Sequence, residues 1–141
     1  MPVPDLDAWQ ARFDTAPARR LGVAPEAVES GFASFMVQVP YGDGRDDDPL
    51  FFATALHYAA DIAALSAVIA RCDQEQPNGT ASLHLNVLAD PQGAVRVWSR
   101  VVHWGMYSAL LELAAEDATG ALVARGLTGY SLRPAAADVA S

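Results

Sequence analysis

Asp61 lies in the middle of the 21 residues from Leu50 to Ala70, LFFATALHYAADIAALSAVIA, whose other side chains are almost all apolar. A carboxylate in such a setting is costly unless a partner satisfies it or a reaction uses it. Asp61 is therefore the residue of this stretch most suited to be a reacting group. Thr54 and His57 precede it by seven and four residues, and positions at those spacings share a helix face. His57 is therefore placed to pair with Asp61, to hold it ionised, or to act as a satisfied core histidine. The competing reading makes Asp61 a hydrogen-bonded residue of the core or of a subunit contact, with no chemistry of its own.

The stretch that carries these residues reads as one long, deeply buried helix. Its length would also span a membrane, but Asp61 near its centre and the amphipathic remainder of the chain argue against that. Before it, Asp5 is an N-cap candidate for a short helix over about 5–15, with Leu6, Trp9 and Phe13 on one stripe. Thr15 to Arg20, which contains Pro17, is expected to break that helix. From Glu29 to Pro40, Ala33, Phe35, Val37 and Val39 alternate with Ser34, Met36 and Gln38 as a half-buried strand requires. Tyr41 to Pro49 reads as a loop, and its aspartates 46–48 suit the positive end of the following helix.

Gln76 to Gly79 is expected to connect the helix to a strand over Thr80 to Leu88. There Ser82, His84 and Asn86 take one face and Leu83, Leu85 and Val87 the other. Further strands are predicted over Ala94 to Val102, Met106 to Ala115 and Ala121 to Leu132. Asp90 to Gly93, His103 to Gly105 and Glu116 to Gly120 join them. The tail, about 135–141, is Ala-rich and expected to fray. The fold class is α+β, with a curved antiparallel sheet wrapped around the helix in a single domain over 1–141.

Composition sets the outer bounds. With 141 residues, 52% hydrophobic and 18% charged, the chain is a compact globular protein and not a disordered one. Its net charge is −8, and all nine basic residues are Arg, without a basic patch. Partners expected on that basis exclude nucleic acid and an anionic membrane. The single Cys72 forms no intramolecular disulfide, no metal-ligand spacing is seen, and no signal-like segment opens the chain, so a cytoplasmic protein without metal or cofactor is expected.

From about Leu21 to Pro134 the chain resembles the hotdog-fold acyl-CoA thioesterases, most closely their PaaI-like branch. In that branch a His-Gly-Gly motif opens the long helix, and an Asp follows its second glycine by seven residues. Asp61 matches that Asp, while Phe52, Ala53 and Thr54 stand where the motif would be. TASLHLNVLADP, from Thr80 to Pro91, is similar to the family's second strand, with Ser82 and Asn86 as its Ser/Thr and Asn. VVHWGMYSALLELAAEDATGALVARGLTGYSL is similar to the closing strands.

The resemblance implies a helix enclosed by a five- or six-stranded sheet, a homodimer whose two sheets join, often a homotetramer, and sites at the dimer interface. It implies an acyl-CoA or acyl-carrier thioester as substrate and Asp61 as the base activating water. Ser82 would help position that water, while Ala53, Thr54, His57 and Asn86 would line the oxyanion and substrate site. The family's upstream Asn falls near Asp46. Trp98, Trp104 and Tyr107 are candidates for the acyl pocket, and Arg96, Arg100 and Arg125 for phosphate contacts. The departures from His-Gly-Gly support an alternative, a catalytically weak or inactive hotdog protein that binds an acyl ligand or serves as an assembly subunit. A hydratase is a third possibility, from the loop YGDGRDDDPLF, although it lacks the histidine that such a motif needs.

Overall fold

The structure, a computed structural model, describes residues 5–38, 49–73 and 75–134. The loop from Tyr41 to Asp48, Asp46 included, and the tail 135–141 lie outside the described residues.

The helix α1, Leu6–Phe13, starts where Asp5 caps it by accepting from the Asp7 N–H. Two residues of its stripe pack as the spacing implies, Phe13 buried edge-on against Phe35 and the Trp9 indole N–H donating to Ser66 Oγ at 2.9 Å, while the third, Leu6, is exposed. Thr15 to Leu21 is not a simple break. Thr15 caps a second short helix α2, Ala16–Leu21, with Pro17 in its first turn, where the missing N–H costs nothing. Gly22, at φ 70°, closes α2 and brings the chain against Gln38, whose N–H donates to the Gly22 carbonyl.

A second departure follows. The chain from Val23 to Glu29 is itself a strand, β1, which turns at Gly31 into β2, Phe32–Val37. Pro25 obscures β1 in the sequence, and an edge strand is where a proline is tolerated. The remaining elements are α3, Pro49–Arg71, then β3, Gln76–Val87, β4, Val95–Trp104, β5, Ser108–Glu116, and β6, Leu122–Arg133. His103 and Trp104 thus belong to β4 and not to a link. Gln76 to Gly79 belongs to β3, because β6 supplies partners: Pro77 pairs with Leu132 and Gly79 with Ser131.

The six strands form one antiparallel sheet in the order β1-β2-β4-β5-β6-β3. Its inner face wraps α3. Ala55, Leu56, Ala59, Ala60, Ala63, Ala64, Ala67 and Val68 of the helix meet Phe35, Val97, Leu111, Leu113 and Val123 of the sheet, all essentially without exposure. The many alanines let the helix lie close to the curved sheet. This packing makes α3, the segment apolar enough to cross a membrane by composition, the core helix of the fold. The outer face is polar and ion-paired: Arg96 grips Glu26 bidentately, and Arg100 pairs with Glu112.

Candidate active site

Asp61 is half-buried on α3, on the side that turns toward the β3 edge. There the Thr80 hydroxyl donates to Asp61 Oδ1 at 2.6 Å. This contact depends on a defect in the strand. Thr80 pairs with Tyr130 of β6, but Ser82 pairs with the adjacent Gly129, so Ala81 is an extra, unpaired residue. Such a bulge re-aims the side chains on either side of it. Thr80 thereby shares the inner face with buried Tyr130, while Ser82 falls on the outer face over Gly129, where an added Cβ would stand 2.9 Å from its Oγ.

The residues singled out in the sequence are accordingly divided. Asp61 is at the site. Ser82 and Asn86 lie on the outer face, away from Asp61; Asn86 lines a shallow hollow of about 600 Å³ with His84, Glu112, Arg125 and Leu127. Thr80, not singled out as a site residue, supplies the hydroxyl that reaches the carboxylate. Only the pairing of β3 with β6 distinguishes the two hydroxyls, since strict alternation puts both on one face.

His57 is exposed, and its Nδ1 lies 2.7 Å from the Ala53 carbonyl oxygen. A carbonyl can only accept, so Nδ1 carries the proton of this contact. The ring thus turns back along the helix and is not bonded to Asp61. Because α3 begins at Pro49, Ala53 and Thr54 lie beyond its first turn, where peptide N–H groups point at carbonyls four residues back. The amides that the helix itself does not engage belong to the first turn, at the positive end of its dipole.

The other candidates are occupied elsewhere. Trp98 stacks on Phe32 beneath Arg100 on the outer face, the Arg71 guanidinium lies 4.9 Å from the Trp104 ring centre, and Tyr107 is exposed in a turn. Arg125 is the loosest of the outer arginines, 3.8 Å from Glu112. Among the described residues no group of three or more His, Cys, Asp and Glu could hold a metal. A second hollow of about 600 Å³ lies between the α1–α2 segment and the first two strands, and neither hollow contains Asp61.

No protein-family model matches the chain, and no curated protein matches it in sequence. Solved structures do match in shape. The PaaI protein of the E. coli phenylacetic acid degradation operon superimposes with a TM-score of 0.68 at 17% identity, over 90% of this chain and 89% of that one. The chain has the hotdog fold. A probable thioesterase of unknown function from Pseudomonas aeruginosa matches this hotdog chain at TM-score 0.73 and 22% identity, over 94% of this chain and 97% of that one. A hypothetical thioesterase from Streptococcus pneumoniae, solved with coenzyme A, matches at 0.72 and 14%, over 89% and 96%. At these identities the likeness concerns the fold, and the site must be argued from its own residues.

Proposed function

We propose that this hotdog protein hydrolyses an acyl thioester, with Asp61 as the general base. The observation that carries the reading is the carboxylate itself: half-buried on an apolar helix, fixed through Oδ1 by Thr80, and without a cationic partner among the described residues. Thr80 leaves Oδ2 as an acceptor for a water proton. Asp61 takes that proton as the water oxygen bonds to the thioester carbonyl carbon. The carbonyl oxygen then carries negative charge, which the positive first turn of α3 stabilises. Collapse of the tetrahedral species breaks the C–S bond, and the proton held by Asp61 passes to the departing thiolate, giving a carboxylic acid and a thiol.

Ser82, expected to position the water, has no part in this scheme; Thr80 orients the carboxylate that activates it. The coenzyme A bound to the Streptococcus pneumoniae neighbour supports acyl-CoA as the first substrate class to try, with an acyl-carrier thioester second. A homodimer joined through β3 fits the same reading. That edge is uncharged over its 12 residues and has β6 on one side only, so its outer N–H and C=O groups suit a second copy. Ala53 and Thr54, in place of glycines, favour the second reading, an acyl-ligand binder with little or no turnover, because their side chains narrow the approach to the helix start.

Thiol release from short, long and aromatic acyl-CoAs separates the two. Asp61→Asn keeps the size of the side chain and removes its basicity, so turnover should fall by about 10²-fold or more with the oligomer intact. Undiminished turnover in the variant would remove Asp61 from the mechanism. A wild type that binds but releases no thiol would make the protein a binder.

A further inference from the structure

We infer that the inner face of β3 beyond Thr80, the strip Leu83, Leu85 and Val87, is the wall against which the acyl group of the substrate lies. Its chemistry selects an unsubstituted straight chain of medium length. The inference deepens the reading of Asp61 as the base and rests on it.

Contact and register tie the strip to the carboxylate. The Thr80 hydroxyl donates to Asp61 Oδ1. Because α3 ends at Arg71 and β3 begins at Gln76, that contact makes β3 run from Asp61 back along the helix toward its start. Past the bulge at Ala81 the pairing with β6 is regular. Alternation then puts Leu83, Leu85 and Val87 on the face that carries α3, opposite Thr128, Gly126 and Ala124. From Leu83 to Val87 the strip extends about 13 Å at the rise of an extended strand.

The strip is apolar and only partly covered. Leu83 and Leu85 pack on the core yet stay half-buried, and Val87 is 43% exposed. Across from them, Gly126 and Ala124 have little or no side chain, so the surface beside the leucines is low. Thr128 brings the one hydroxyl, and it donates to the Ser82 carbonyl oxygen at 2.7 Å. What the strip presents is therefore alkyl surface without a donor or an acceptor. Of the two arms of an acyl-CoA, the pantetheine arm carries amides and a hydroxyl, which would lose their partners here. An alkyl chain loses nothing, whereas a hydroxyl or a charge along it would be left unpaired. The strip thus fits the acyl arm.

The test uses the full chain and two S-alkyl coenzyme A thioethers, ethyl and decyl, which have no carbonyl and cannot be hydrolysed. By calorimetry the wild type should bind the decyl compound about tenfold or more tightly than the ethyl one. Leu85→Asn and Val87→Asn should each lose most of that ratio. Val87 lies at the exposed end of the strip, so its variant keeps the test decisive where Leu85→Asn lowers Tm. In thiol release, decanoyl-CoA should likewise lose its advantage over acetyl-CoA in both variants. Equal binding of the two thioethers by the wild type, binding of neither, or an unchanged ratio in both variants overturns the acyl wall. So does a change of oligomeric state in the variants with the ratio intact, which would make the strip a contact between copies. The thioethers report binding alone, so the fate of the base is read separately: undiminished turnover in Asp61→Asn removes the base, while a ratio lost in the strip variants still supports the wall.

Discussion

The two edges of the sheet are finished in opposite ways. At the β1 edge, α1 and α2 pack over the strand, Pro25 removes a donor, and Glu26 and Glu29 bring charge. A closely fitted turn, Gly22 against Gln38, locks that cover in place. The β3 edge has none of these devices along most of its length: Pro77 and the bulges are confined to its first half, and Leu83 to Val87 runs in regular register without a charge. An exposed strand of that kind is a template for pairing. Asp61 faces the open edge, so the open side of the sheet and the proposed base occur together.

The largest effect should come from charging the open edge. The double variant His84→Lys, Asn86→Lys places cations on the outward face of β3, where two copies would bring like charges together. Sedimentation or light scattering should then give the 14.9 kDa monomer in place of a dimer. A wild type that is already monomeric, or a variant that stays dimeric, would separate edge pairing from the open edge.

The glycines at the two edges sharpen the comparison. A Cβ on Gly22 would lie 2.0 Å from the Gln38 carbonyl oxygen, at φ 70°, and a Cβ on Gly126 would lie 1.9 Å from the His84 carbonyl oxygen. Each contact is with backbone, which cannot turn aside. Gly22→Ala and Gly126→Ala should each cost about 2–3 kcal/mol in chemical denaturation. Only the second displaces β3, so only the second should also reduce thiol release.

The smallest effect is the acid response of the closed edge. The Arg96 hydrogen bonds hold the Glu26 carboxyl below its ordinary range, against the opposing effect of burial. A carboxylate with a depressed folded value contributes stability above its unfolded value and loses it as pH falls through the folded one. Both partners are partly exposed, so solvent screening keeps the contribution below about 1 kcal/mol. Glu26→Gln should flatten the fall in stability below the ordinary carboxylate value and leave stability near pH 7 lower by that amount. Asp117, whose carboxylate is likewise held low by Thr119 and by backbone N–H groups of Gln92, Thr119 and Ala121, will continue to titrate in the variant.

Much of this fold was legible in the chain. The Asp5 cap, the long apolar run and the alternation of Phe32 to Val37 each follow from local chemistry that neighbours reinforce. The missed elements share a different property. In α2, Pro17 reads as a break, and in β1, Pro25 hides the strand, yet one sits in a first helical turn and the other on an edge strand, positions that cost little. The first residues of β3 read as a turn because Pro77, Asn78 and Gly79 are turn formers, and only the distant strand β6 holds them extended.

For the site, the sequence by itself determined that one carboxylate would stand in the middle of a buried helix, since composition and period require no partner to be seen. Which hydroxyl meets that carboxylate was decided by tertiary structure alone. Side chains alternate with period two, so the extra residue at Ala81 puts Thr80 and Ser82, which would share one face of a regular strand, on opposite faces. Whether a strand carries such an extra residue depends on its pairing with β6, some fifty positions away, and no local pattern encodes it.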